Sequence, residues 1–276
     1  MTTPTKAFQK TVWDYYKLHG RSLPWRVPEQ DGSFDPYRIL VSEMMLQQTQ
    51  VNRVVPKYQE FLATFPTVGV LADASLAEVI RMWSGLGYNR RAKYLHDVAN
   101  LIVTQNNSTF PKTLNMLTNL PGIGPNTAAA ILVYAYNQPM VFVETNIRSV
   151  FIHHFFASQE GVSDKALLPL INETLDTKQP RVWYWALMDY GSYLKATTGN
   201  ATRRSQHYAK QSTFQGSLRQ LRGTILRTLA NGPVETDKIL SEFTDERTEQ
   251  ALASLVQDGL IQKVGKCYRL ARWCLW

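Results

Sequence analysis

Cysteine is almost missing from this chain. Its 276 residues include two, Cys267 and Cys274, both close to the C-terminus. Two late thiols exclude a four-thiolate metal or iron–sulfur site. They also speak against a disulfide scaffold, fit a reducing compartment, and read as structural residues. Long apolar runs are missing as well. The opening "MTTPTKAFQKTVWDYYKLHG" has none, which argues against a signal peptide or a membrane span. Acidic residues are outnumbered, 22 against 30 Lys and Arg, for a net charge of +8. That excess suits a polyanionic partner. What is present in quantity is apolar material, 44% of residues. A chain of this length and hydrophobicity folds around a real core as one large or two modest domains.

Strand signals are sparse, and apolar residues recur at helical spacing up to about residue 210. "FQKTVWDYYKLHG" reads as a helix closed by Gly20, followed by a polar loop rich in proline and glycine. "YRILVSEMMLQQTQVNRVVPKYQEFLATF" reads as a helix, a break and a second helix. "SLAEVIRMWSGLG" and "YNRRAKYLHDVANLIVTQ" add two more, and another is expected near 164–176. After a polar, basic connector, "LRQLRGTILRTLANGP", "ETDKILSEF" and "TEQALASLVQDGL" read as three short helices. "IQKVGKCYRLA" then reads as a hairpin turning at Gly265–Lys266. Three helices and a hairpin make a winged-helix pattern over 211–276, whose last helix suits either DNA or a protein partner.

Chemistry concentrates at three places. In "NLPGIGPNTAAAIL", Gly122 and Gly124 permit backbone angles that other residues resist, and Pro125 suits a first helical turn. The amides of such a helix start, near Thr127, suit a phosphate; an ordinary αα-hairpin would use the same residues. In "VSEMMLQQTQV", Glu43 stands among Val41, Met44, Met45 and Leu46, as a helix-start acid or as a carboxylate in a cleft. In "VFVETNIRSV", Glu144 precedes Thr145, Asn146 and a helix beginning near Ile147. The helix dipole alone would favour an acid there. Two isolated carboxyl groups flanking one glycine hairpin also suit a proton donor paired with a charge stabiliser, if their environments separate their pKa values.

The motifs "LPWR", "SEMMLQQTQV", "FPTV", "GLGYNRRAKYLH", "LPGIGPNTAAAIL", "ETNIRSV" and "ALMDYG" occur in this order over about residues 20–195. The series resembles the helix-hairpin-helix DNA glycosylases, and within them the MutY-type adenine glycosylases. The resemblance implies a mainly α, two-lobed glycosylase core over 1–210, with a six-helix lobe at about 28–135 and a second lobe from 1–27 plus 136–210. It implies a partner, double-stranded DNA with a mismatch or lesion, and a base flipped out of the stack. Arg21, Leu23, Trp25, Arg26, Leu46, Val51 and Asp189 match the base pocket. Gln47, Gln48, Thr49, Leu86, the wedge Tyr88, Gly122, Gly124, Thr127 and Arg148 match DNA-contacting positions. Glu43 would protonate the adenine and Glu144 stabilise the sugar cation, with Asn146 orienting water or the carboxylate. Prokaryotic, cytoplasmic, nucleoid-associated work as a monomer, with no membrane, is the expectation.

Three departures stand out. Position 144 is usually aspartate, so the longer Glu144 must reach the sugar differently. Position 126 is Asn126, which cannot form the Schiff base of the related lyases, so a monofunctional glycosylase is expected. The family's four cluster cysteines are missing after "ALMDYG". Lys195, Arg203, Arg204, His207 and Tyr208 fill that region, as phosphate contacts or as a solvated linker. No cofactor is expected. The family's C-terminal sheet domain for 8-oxoguanine gives way to the winged-helix pattern. Two alternatives remain: a thymine or uracil glycosylase at G mismatches, and a DNA-binding protein with altered catalysis.

Overall fold

A computed structural model describes residues 3–211 and 213–271. The chain is mainly helical. It runs through α1 (Thr3–His19), a 3-10 turn at Pro24–Arg26, α2 (Pro36–Leu46), α3 (Val51–Thr64), α4 (Val68–Asp73), α5 (Leu76–Trp83) and α6 (Arg90–Gln105). Then come α7 (Leu114–Thr118), α8 (Pro125–Tyr136), α9 (Thr145–Phe155), α10 (Asp164–Thr174), α11 (Pro180–Thr197) and a 3-10 turn at Ala201–Arg204. The C-terminal part holds α12 (Leu218–Leu229), β1 (Val234–Glu235), α13 (Thr236–Glu242), α14 (Thr248–Gln257), β2 (Ile261–Val264) and β3 (Cys267–Leu270). No helix among the described residues is long and apolar enough to cross a membrane.

Local chemistry sets many of these boundaries. Gly20 closes α1, its N–H reaching the Tyr16 carbonyl at 2.8 Å. Ser75 and Glu78 make a reciprocal capping box at α5. Thr67, Thr113, Ser163 and Ser217 each accept a backbone N–H at the start of their helices.

Contacts group the chain into two compact units. The first takes 1–39, 112–119 and 123–210. Here α9 and α11 pack at the centre, with α1, α8 and α10 against them. Phe8 meets Phe151 and Trp183 at ring centroids 5.1 and 6.2 Å apart, and Phe142 stacks on Tyr184 at 4.3 Å. Gly191 on α11 makes the closest approach. A Cβ there would lie 2.5 Å from the Asn146 carbonyl oxygen, so only glycine lets α11 come this near to α9.

The second unit takes 40–111, 120–122 and 211–276. Val54, Phe61, Leu71, Val79, Trp83, Leu95 and Val98 are fully buried in it. Its C-terminal part follows the expected order of three helices and a hairpin, with β1 added to make an antiparallel sheet in the order β1-β3-β2. Val234 pairs with Tyr268 and Ile261 with Leu270. The motif order leads to a lobe at about 28–135 and a C-terminal segment at 211–276. By contacts, α7 and α8 instead join the N-terminal helix, and the C-terminal segment joins α3 to α6.

Candidate active site and nucleic-acid interface

In the first unit, Glu144 is the N-cap residue of α9, in extended conformation, and its side chain makes no capping hydrogen bond. It is half-buried. Burial pushes its carboxyl up to about 7, against the pull of the Arg148 guanidinium. Arg148 itself is engaged: its Nε and a terminal nitrogen each donate to the Asp164 carboxylate at 2.7 Å. A residue expected to face DNA thus holds α10 to α9 and lends its charge to Glu144. Asn126 donates from its amide to the Val143 carbonyl at 3.1 Å. It thereby fixes the backbone one residue before Glu144. Asn146 follows on the first turn of α9, its carbonyl against Gly191.

Arg21, Arg26 and Asp189 converge in the same unit. Arg26 gives a fork to Asp189, both contacts 2.8 Å. Arg21 adds its Nε at 2.7 Å and its backbone N–H at 2.8 Å. Burial works against the Asp189 charge, but these donors hold its carboxyl below the usual range. Leu23 and Trp25 are buried beside them in sequence, and the Arg26 guanidinium lies 5.4 Å from the Trp185 ring.

The segment after α11 carries no thiol. It folds into the Ala201–Arg204 turn, capped by Asn200, with Thr202 and Ser205 buried and a bridge from Ser205 to Val162. Arg203 is exposed, while Arg204 is half-buried and donates to the Ala157 carbonyl. Among the described residues, no three His, Cys, Asp or Glu side chains group as metal ligands. Cys267 lies on β3 and Cys274 lies outside the described residues. These residues do not fit a four-thiolate cluster.

In the second unit, Glu43 sits half-buried on α2. The end of that helix is held by Arg91, which lies within "GLGYNRRAKYLH". One Arg91 terminal nitrogen donates to the carbonyls of Met44, Met45 and Gln47 at 2.7, 2.9 and 2.6 Å. The other reaches Thr49 Oγ1 at 3.1 Å and the Leu86 and Gly87 carbonyls at 3.4 and 3.1 Å. Helix ends leave carbonyls without partners, and here one buried guanidinium takes them and ties "QQT" to "GLGY". Burial draws the Arg91 pKa down to about 10, which leaves it charged at neutral pH. The available signal was register: Arg91 shares the α6 stripe with Leu95, Val98 and Ile102, all buried.

Leu86 is buried, Gln48 is exposed, and Leu46, Gln47, Thr49, Val51 and Tyr88 are half-buried. Gln48 and Tyr88 both hold left-handed backbones, with φ of 54° and 48°, a state that costs non-glycine residues energy. Tyr88 lies between two cations, 5.5 Å from Arg91 and 5.3 Å from Arg219. Its hydroxyl accepts from Arg219 at 2.6 Å and from Gln211. Neither Arg219 nor Gln211 was singled out in the sequence, because nothing local connects residue 88 with residue 219.

The two glycines of the hairpin differ. Gly122 has φ +73°, and a Cβ on it would lie 2.3 Å from the Tyr94 ring. Gly124 corrects the expectation drawn from sequence: it is extended, φ −83° and ψ 173°, with open space where a Cβ would go. Among the described residues nothing requires glycine at 124. It is the N-cap of α8, which starts with Pro125 and has no side-chain cap.

The glycine hairpin that opens α8 and the acid that precedes α9 stand close together in the chain. The profile of the HhH-GPD superfamily base excision DNA repair proteins matches residues 41–171. The solved structure of a thermostable thymine-DNA glycosylase aligns with 73% of this chain and 92% of its own, with a TM-score of 0.61 and 22% identity, a likeness of fold. The adenine DNA glycosylase of Mycolicibacterium smegmatis is 32% identical over 90% of this chain and 90% of its own length. That of Mycobacterium tuberculosis is 30% identical over 95% and 93%. The chain belongs to the adenine DNA glycosylase family within that superfamily.

Proposed function

We propose that this chain is a monofunctional DNA glycosylase that removes adenine mispaired with 8-oxoguanine or guanine in double-stranded DNA. Glu43 donates a proton to a ring nitrogen of the flipped adenine, so that the base departs neutral. The glycosidic bond breaks with its electron pair going to the base, and positive charge develops on the deoxyribose. Ionised Glu144 stabilises that charge, and water adds at the sugar carbon, the proton it releases restoring the Glu43 acid. Asn146 orients the carboxylate or the water. Asn126 positions Glu144 through the Val143 carbonyl; it replaces a lysine nucleophile, which supports hydrolysis without strand cleavage. Arg21, Leu23, Trp25, Arg26 and Asp189 serve the base pocket, as do Leu46 and Val51. Gln47, Gln48, Thr49, Leu86 and Tyr88 serve the gap left by the flipped base. Gly122, Gly124 and Thr127 grip phosphate, and Arg203 and Arg204 add basic contacts where the cluster would stand. The winged-helix segment contacts DNA. The protein acts as a monomer in the cytoplasm of a prokaryote.

The observation that carries this reading is Glu144. It occupies an N-cap position yet does no capping, and burial brings it close to pH 7. An acid kept only for the helix dipole would face solvent and stay strongly acidic. Single-turnover excision, followed by alkali, on duplexes carrying A:8-oxoG, A:G, T:G and U:G tests it. Adenine release by the wild type that is lost in both Glu43→Gln and Glu144→Gln is expected. Release of T or U alone would move the substrate, and binding without release from any duplex would replace catalysis by DNA binding.

A further inference from the structure

Among the described residues of the second unit, Gln48, Tyr88 and Arg219 line cavities of about 440 and 330 Å³. The larger falls in the size range of small-molecule sites. Four guanidinium groups line it (Arg90, Arg91, Arg219 and Arg222) against one carboxylate, Asp258. That carboxylate is committed: it accepts from Arg222 and sits 3.4 Å from Arg90. An aromatic face, amide groups and excess positive charge together suit a planar heterocycle with carbonyl acceptors on its edge and phosphate nearby. The strained backbones of Gln48 and Tyr88 meet at this same cavity, and strain of that kind gathers at ligand clamps.

We propose that Arg219 determines specificity for the base opposite the excised adenine, donating to O6 of a guanine-type base held against Tyr88. This rests on the adenine glycosylase reading above. Arg219 comes from α12, so the C-terminal segment supplies part of the recognition site through its first helix and not through its hairpin. The chemistry selects among bases. Guanine presents acceptors on its major-groove edge, whereas cytosine presents an amino donor that a guanidinium repels. The Tyr88 hydroxyl and the Tyr88 ring fix the guanidinium in place, which removes the ordering cost a free arginine would bring to binding.

The test compares adenine excision and duplex binding for adenine opposite guanine, 2-aminopurine (guanine without O6), cytosine and an abasic site. Wild type, Arg219→Ala, Arg219→Lys and Tyr88→Phe are measured at several salt concentrations. Arg219→Ala is expected to lose at least about tenfold against guanine and far less against 2-aminopurine or an abasic site. Arg219→Lys keeps the charge and should lose the same preference. Tyr88→Phe should lose less than Arg219→Ala. A uniform loss over all four duplexes with a shallower salt slope would make Arg219 a phosphate contact and overturn the proposal. An Arg219→Ala loss that is the same against guanine and 2-aminopurine, with the salt slope unchanged, would reduce Arg219 to a support for Tyr88, which also overturns it. No adenine release by the wild type from any duplex would refute the glycosylase reading itself, a separate outcome.

Discussion

Replacing Arg91 with methionine removes the guanidinium while keeping an unbranched apolar stem. Six acceptors lose a donor. The contacts to the Met44, Met45 and Leu86 carbonyls are buried, while those to Gln47, Gly87 and Thr49 are only part-buried. Water can repair the second group. A buried unsatisfied acceptor costs about 1–3 kcal/mol, so the first group sums to roughly 3–9 kcal/mol. Relief from keeping a cation out of water offsets several of these. The net expectation is a loss of about 3–5 kcal/mol, or a fall in Tm of about 6–20 °C at 2–4 °C per kcal/mol for a chain of this size. Thermal unfolding followed by circular dichroism measures it, and Arg91→Lys, with a compact ammonium, should fall between. Excision should drop further than stability, because Glu43 stands on the helix whose end Arg91 holds. A Tm within about 2 °C of wild type, with normal excision, would refute the account of Arg91 as the tie between α2 and the turn at 86–88.

Glu144 carries a carboxyl raised to about 7 in the folded state, so the native protein binds its proton more tightly than the unfolded chain. Stability from this group is full below about pH 4.5 and declines as pH rises to about 7. Glu144→Gln should therefore raise the Tm at pH 8, by at most about 3 kcal/mol of stability, with the gain vanishing near pH 5; a gain that grows toward low pH would contradict the sign. The same ionisation predicts an acid limb in wild-type kcat/KM, rising with pH with its midpoint near 7. Gly122→Ala should cost about 2 kcal/mol or more, from its left-handed backbone and the Tyr94 ring, whereas Gly124→Ala should unfold normally and weaken DNA binding about tenfold in a filter or fluorescence assay. Equal losses of stability in both would refute the distinction. Gly191→Ala, with its Cβ 2.5 Å from a backbone oxygen, should lower the Tm and kcat together, and a stabilised variant would show that α11 can move away from α9 at no cost.

Much of the site was legible because its signals are local or ordered along the chain. The end of α1 at Gly20, the break between α2 and α3 and the acid before α9 follow from short-range chemistry. Glu43 and Glu144 were reached through motif order. What stayed hidden is what depends on distant partners. Arg148 reads as a basic residue for DNA, and nothing in the sequence shows that Asp164 accepts from two of its nitrogens. Asn126 reads as a missing lysine until its amide is found on the Val143 carbonyl. Arg219 has no sequence signature at all, since its meaning lies in Tyr88, 131 positions away. Gly124 was misjudged for the opposite reason: two glycines in one motif suggested one conformational cause, but only Gly122 needs it.

The second unit is assembled from the early part of the chain and its C-terminal end, with most of the first unit between them. A ribosome makes these pieces in order. Helices α3 to α6 emerge long before α12 and α14, and about a hundred residues of the other unit must be synthesised in the interval. Until then, α5 lacks the α12 contact it has in the finished fold, and Tyr88 lacks Gln211 and Arg219. The nascent protein therefore passes through a stage in which the turn at 86–88 exists without its clamp, and that clamp forms only as synthesis reaches α12.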